Sequence, residues 1–294
     1  MTGPGAGHDG HRPGQDAGLP SPATEAGRAG LAALVADPRR ALVALDFDGT
    51  LSPIVPDPAD ARGADGAADA LTRLAGRAGT VAIITGRPAA DAVGLGGFSG
   101  VPGLIVLGQY GRERWQDGEL TRPPASAEVA AARDELPGVL AAAGAPDGTW
   151  TEDKGDALAV HTRRTADPAG ALDRLRGPLT GLAERTGLIV EPGRLVLELR
   201  PAGADKGAAL TRLVAERSAG AVLYAGDDLG DIPAFAAVAE LRANGVPGLA
   251  VCSGSAEATS LAGHVDLLVD GPAGILALLG GLTAAFGPGS DTSF

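Results

Sequence analysis

Residues 42–54 read LVALDFDGTLSPI, an apolar run that stops on two aspartates two places apart, Asp46 and Asp48, followed at once by Gly49 and Thr50. The stretch 43–47 predicts a buried strand closed by turn residues. Side chains two apart on a strand leave the same side, so the spacing aims both carboxyls into one place just past the strand's C-terminal edge. Open α/β folds bind ligands at that edge. Gly49 permits a tight turn, and Thr50 adds a hydroxyl. Two carboxylates this close repel one another unless a cation or a shared proton compensates. Hard carboxylate oxygens suit Mg²⁺, so the pair asks for that metal. Alone, the run is also what a strand entering an ordinary polar turn looks like. The rest of the chain decides between the two.

The pattern of residues 42–54 recurs. Residues 81–84 form a second apolar run, ending in Thr85-Gly86-Arg87 with Pro88 placed for the first turn of a helix. Residues 104–107 form a third, leading into 108–113. Helical spacing between the first two runs completes a strand–helix–strand–helix–strand alternation, which predicts a parallel sheet with right-handed crossovers. After Gly111 the texture changes. Residues 128–143 and 167–186 read as helices, 149–163 as strand with turns, and 188–200 as a hairpin around Pro192-Gly193. The parallel pattern then resumes with a helix opened by Asp205-Lys206-Gly207, a strand at 221–225 running into Gly226-Asp227-Asp228-Leu229-Gly230-Asp231, short strands at 249–252 and 265–269, and a last helix after Gly271. The expected fold is α/β: a Rossmann-like core of residues 29–109 and 203–286, interrupted by an inserted α+β unit at 110–202. Residues 1–28 and 287–294 are expected as a disordered tail and a flexible C-terminus, with solvated histidines at His8 and His11.

Composition narrows the partners. A net charge of −12 disfavours nucleic acid and anionic membranes. No apolar run approaches the length of a membrane span. The single cysteine, Cys252, excludes an internal disulfide and suits a reducing cytoplasm. Aromatics are only 3%, so the core must be built from Ala, Val, Leu and Ile. A small-molecule ligand and a monomer are expected.

Four polar signals thus stand in order, three at strand ends and one opening a helix. In a parallel sheet they converge on one face. Asp46 can act as a nucleophile toward phosphorus, giving an aspartyl-phosphate. Asp48 can protonate the leaving alkoxide and then take a proton from water. Lys206 completes the catalytic set and, with Thr50, Thr85, Gly86, Arg87 and backbone N–H groups, can hold the phosphoryl oxygens. Asp227 can complete a Mg²⁺ site with Asp46 and the carbonyl of Asp48. Asp228 and Asp231 can ligate directly, ligate through water, or support the site from behind.

On these motifs the chain resembles the haloacid dehalogenase superfamily, and the insertion lies where that superfamily carries its C2-type caps. Within the insertion, Glu152-Asp153-Lys154-Gly155, Leu158-Ala159-Val160-His161 and LVLELRP at 195–201 resemble the trehalose-6-phosphate phosphatases. The resemblance implies that Glu152, Lys154 and Glu198 contact the sugar, and that the reaction is the Mg²⁺-dependent hydrolysis of trehalose 6-phosphate in trehalose synthesis. The chain departs from that family's pattern at Tyr110, where a His is usual, and at Gly230 and Ile232, where Thr and Glu usually follow Gly-Asp-Asp. A phosphatase for sucrose phosphate or mannosyl-phosphoglycerate, and a silent phosphosugar-binding regulator, are the alternatives. The intact set of Asp46, Asp48, Lys206 and Asp227 speaks against the silent regulator.

Overall fold

The computed structural model describes residues 18–122, 126–155, 157–203, 205–254 and 258–287. In chain order its first elements are α1 (Glu25–Ala36), β1 (Ala41–Leu45), α2 (Ala67–Ala75), β2 (Thr80–Ile84), α3 (Ala89–Gly96), β3 (Ile105–Gly108), β4 (Glu113–Gln116) and β5 (Glu119–Thr121). Next come α4 (Ala127–Ala142), β6 (Trp150–Asp153), β7 (Leu158–His161), α5 (Pro168–Thr186), β8 (Leu188–Gly193) and β9 (Val196–Pro201). The chain closes with α6 (Lys206–Arg217), β10 (Ala221–Gly226), α7 (Ile232–Ala243), β11 (Gly248–Ser253), α8 (Ala258–Leu261), β12 (Leu267–Val269) and α9 (Gly271–Ala285).

Two sheets form. The larger has the order β12-β11-β10-β1-β2-β3-β4-β5, parallel from β12 through β3 and antiparallel beyond. Alternation along β1 builds both of its faces. Val43 and Leu45 join Leu71, Leu74, Leu278 and Leu282 in one buried cluster, while Leu42 and Ala44 join Leu210, Leu213 and Phe235 in another. Helices thus cover both sides, and β1, β2, β10 and β11 are buried along their whole length, as parallel strands must be. The strand order reverses between β1 and β10. That is the switch point where α/β sheets open a crevice at their carboxyl edge.

The smaller sheet is antiparallel, in the order β6-β7-β9-β8. Leu158, Val160, Leu197 and Leu199 leave one face and pack with Leu175, Leu179, Leu182 and Val129 of α5 and α4. By the period of two, Trp150, Glu152, His161 and Glu198 leave the other face.

Three expectations need correction. The larger sheet does not end at residue 109, because β4 and β5 extend it to Thr121. The cause is the alternation of Glu113-Arg114-Trp115-Gln116, which buries Glu113 and Trp115 and leaves Arg114 and Gln116 half-buried. The region assigned to the tail reaches into α1, which begins at Glu25. Thr24 caps that helix by accepting from Gly27 N at 2.9 Å, and its hydroxyl also bonds Asp266. Residues 1–17, with His8 and His11, and 288–294 lie outside the described residues. The hairpin turns at Arg194-Leu195, not at Pro192-Gly193: Gly193 pairs with Val196, and Leu195 takes a left-handed φ of 62°. Pro192 is tolerated inside β8 because β8 is an edge strand, where no neighbour needs its missing N–H.

Candidate active site

The chain leaves β1 at Asp46, whose N–H donates to Ala225 O at 2.8 Å and so registers it against β10. The loop then closes on itself: Leu51 N and Ser52 N both donate to Phe47 O at 2.9 Å, and Gly49 N donates to Ser52 O at 2.7 Å. Gly49 sits at φ +73°, and a Cβ there would collide with the Asp227 carboxylate. Glycine therefore brings the β1 loop and the β10 loop into contact across the switch point.

Four charged groups, Asp46, Lys206, Asp227 and Asp231, are buried where these loops meet. Lys206, at the start of α6, places its Nζ 2.9 Å from Asp46 Oδ1 and 2.7 Å from Asp231 Oδ1. Asp205 fixes that helix start by accepting from Ala208 N at 2.8 Å. Asp231 is fully enclosed. Its Oδ1 also accepts from the Tyr224 hydroxyl at 2.5 Å, and its Oδ2 accepts from the N–H groups of Asp227 (2.9 Å) and Asp228 (3.2 Å). Asp46, Asp227 and Asp231 each bring a carboxylate oxygen within 4.8 Å of the others.

The electrostatics follow from this crowding. Burial pushes the Asp46 carboxyl well up, against the opposing pull of Lys206. Burial, and then Asp228 and Asp231, push Asp227 up to about 8. Burial acts on Asp231 in the same sense, yet the Lys206 ammonium and the hydrogen bonds from Lys206 and Tyr224 carry it below the usual carboxylate range. Lys206 is held well above its ordinary value, because Asp231 and Asp46 outweigh its desolvation. One ammonium faces three carboxylates, so protons or a further cation must offset the remaining charge. The donors are all hard oxygens, so the site fits a divalent cation of the Mg²⁺ kind. Because the oxygens of Asp231 are already taken by four donors, Asp46 and Asp227 are the better-placed ligands.

The other expected residues fall into two groups. Thr50 and Thr85 are buried at the same face, and the Thr50 Oγ1 has no partner among the described residues. Thr85 Oγ1 accepts from Arg87 N at 3.2 Å, which shapes the turn around Gly86. Arg87 does not reach the buried carboxylates. It clamps Asp48 with two bonds of 2.7 Å, Nε to Oδ2 and Nη2 to Oδ1. Asp48 thus stands at the rim, outside the convergent trio. Asp228 is exposed and caps Gly230 N at 2.9 Å. On the smaller sheet, Lys154 Nζ lies 2.5 Å from Glu198 Oε2, and Glu152 pairs with His161 Nε2 at 2.9 Å.

Three participants escaped the sequence reading. Tyr224 sits inside an apolar strand, and its role shows only once Asp231 folds back over it. Gln109 donates through Nε2 to Glu113 Oε1 at 3.3 Å and to the Lys154 carbonyl, tying the two sheets together. Trp150 stacks on His161, with centroids 4.4 Å apart, and carries the Arg164 guanidinium at 4.4 Å. The only signal for Trp150 was its place two residues before Glu152 on one strand.

The fold is that of the haloacid dehalogenase hydrolases. The family model for trehalose-phosphatase matches residues 44–265. The chain belongs to that family. It is 38% identical over 222 residues to the trehalose-phosphate phosphatase of Mycolicibacterium paratuberculosis, covering 71% of this chain and 54% of that protein. It is 41% identical over 217 residues to a Mycobacterium tuberculosis protein described as an uncharacterized glycosyl hydrolase, covering 68% of this chain and 15% of that one. The chain thus spans about half the length of the first of these relatives and a far smaller part of the second. A solved structure of Aspergillus fumigatus trehalose-6-phosphate phosphatase superposes with a TM-score of 0.65 at 26% identity, over 90% of this chain and all of that one.

Proposed function

We propose that the chain hydrolyses trehalose 6-phosphate to trehalose and phosphate through an aspartyl-phosphate intermediate. The observation that carries this reading is the buried Asp46–Lys206–Asp231 cluster at the switch point, with the Lys154–Glu198 pair on the smaller sheet. Asp46 attacks phosphorus, held in place by the Lys206 ammonium. The sugar oxygen leaves with a proton from Asp48, which must first give up the two bonds it accepts from Arg87. Asp48 then takes a proton from the water that cleaves the acyl phosphate and releases Asp46. Lys206, Thr50 and Thr85 compensate charge on the phosphoryl oxygens. Asp46, Asp227 and the carbonyl of Asp48 would hold Mg²⁺, with Asp228 and Asp231 supporting them, and the ion when bound would supply further charge neutralisation. The unit carrying β6–β9 acts as a cap, and its Glu152, Lys154 and Glu198 read the sugar. Closure over the larger sheet excludes water and turns sugar-binding energy into assembly of the site.

Several features support the setting. Among the described residues no helix is long and apolar enough to cross a membrane, and Cys252 is buried and free. Both suit catalysis in the cytoplasm. The test is phosphate release with Mg²⁺ from a panel of trehalose 6-phosphate, sucrose 6-phosphate, mannosyl-3-phosphoglycerate and p-nitrophenyl phosphate. The highest kcat/KM is expected for trehalose 6-phosphate. A preference for another member would overturn the substrate, and no release from any would overturn the reaction.

A further inference from the structure

Between β3 and β4 the chain does something that side chains resist. Gln109 and Tyr110 take left-handed φ values of 48° and 58°, one after the other, and Gly111 follows at 86°. Residues with a Cβ enter this region reluctantly and rarely in succession. The segment is held there from several sides. Gln109 N donates to Arg87 O at 2.9 Å, and Tyr110 N donates to Thr85 O at 3.0 Å, so both are laced to the turn around Gly86. The Gln109 amide is pinned between Glu113 and the Lys154 carbonyl. Such a conformation, fixed from outside, is how a fold presents one side chain to a site.

The side chain presented is Tyr110. Its hydroxyl lies against Gly86, where an added Cβ would stand 2.9 Å from the oxygen. The Arg200 guanidinium covers the ring 4.9 Å from its centroid. The charged groups around it come from both sides: Glu198, Arg200 and Glu191 from the smaller sheet, Lys206 from the start of α6 beside the larger. The phenol therefore occupies the seam between the loop that meets the phosphoryl group and the strand that meets the sugar. Burial, and after it Glu198, push its pKa well above the ordinary value, so it stays a protonated donor. No hydrogen bond from this hydroxyl is made to any described residue. Tyr110 is half-buried, so a ligand oxygen can take the place of solvent at this hydroxyl at little cost.

We propose that Tyr110 is a specificity-determining residue whose hydroxyl donates to a ring or hydroxyl oxygen of the sugar unit that bears the phosphate, not to the ester oxygen itself. The proposal rests on the reading of the site as one for sugar phosphates, and deepens it by naming the group that recognises the join between phosphate and sugar. A planar aryl ester such as p-nitrophenyl phosphate shares the ester oxygen but has neither a ring oxygen nor a hydroxyl group.

The experiment compares Tyr110→Phe with the wild-type protein on p-nitrophenyl phosphate and on whichever sugar phosphate the wild type hydrolyses fastest. A failure on trehalose 6-phosphate alone therefore leaves the proposal standing. Phenylalanine keeps the ring, its cover by Arg200 and the backbone. We expect about a tenfold loss of kcat/KM on the sugar phosphate, mainly through KM, with p-nitrophenyl phosphate kinetics and melting temperature unchanged. Equal losses on both substrates would make Tyr110 a structural residue, and no loss on either would mean the hydroxyl meets no substrate oxygen. A wild-type protein that hydrolyses no sugar phosphate would overturn both this proposal and the reading beneath it.

Discussion

The two sheets carry charge in opposite ways. At the edge of the larger sheet, Asp46, Lys206, Asp227 and Asp231 are buried and bonded to one another, and Asp231 alone accepts four hydrogen bonds. On the smaller sheet the charged groups stand in pairs nearer to solvent: Lys154 with Glu198, Glu152 with His161, and Arg133 with Asp153 at 2.6 Å. A buried network has its geometry fixed before any ligand arrives, and removing one member strands the others. The Glu152–His161 and Arg133–Asp153 pairs reach solvent, are worth little to the fold and are free to exchange partners, while Lys154–Glu198 is more enclosed. For the proposed reaction, the first arrangement suits a group that is the same in every substrate, the phosphate. The second suits the part that varies, the sugar.

The sharpest way to break that contrast is at Asp46. Asp46→Asn keeps the shape and removes the nucleophile, so turnover should fall by about a thousandfold or more while the protein stays folded. Near wild-type phosphate release by this variant would end the aspartyl-phosphate mechanism. Removing the cation comes next. Chelation by EDTA should silence phosphate release and Mg²⁺ should restore it, whereas Ca²⁺ should inhibit through its longer and looser coordination. Full activity in chelator would show that the three converging carboxylates balance their charge with protons alone. A smaller effect is expected at Tyr224. Tyr224→Phe deletes one bond to a charged acceptor inside the buried network, and stability should fall by about 1.5–3 kcal/mol in urea titration. The same titration on Asp153→Asn should show less than about 1 kcal/mol, since the Arg133 pair is exposed. Equal losses would erase the contrast between the sheets.

The sequence made the larger sheet readable because its strands are short apolar runs that end abruptly in Asp, Thr or Gly. Those same endings located Asp46, Thr85 and Asp227. It also located Lys206, because Asp205 caps the helix that carries it. What stayed hidden depended on distance through space. Nothing local to Arg87 says that it clamps Asp48, 39 positions away, rather than a phosphate. Nothing local to Tyr224 says that Asp231 folds back onto its hydroxyl. The antiparallel strands β4 and β5 were missed because an alternating run with one buried tryptophan is a weak signal beside a change of texture. The hairpin turn was misplaced because Pro-Gly is a stronger local turn signal than Arg-Leu, yet pairing across the edge strand decided the register.

The division of labour between the sheets is tested most directly at Glu198. It sits on the smaller sheet, is largely buried against Lys154, and is proposed to touch only the sugar. For Glu198→Ala we expect kcat/KM for trehalose 6-phosphate to fall by at least about tenfold, the equivalent of roughly 1.4 kcal/mol, while p-nitrophenyl phosphate is hydrolysed at the wild-type rate. A proportional loss on both substrates would contradict the assignment and make Glu198 part of the phosphoryl site or of the fold itself.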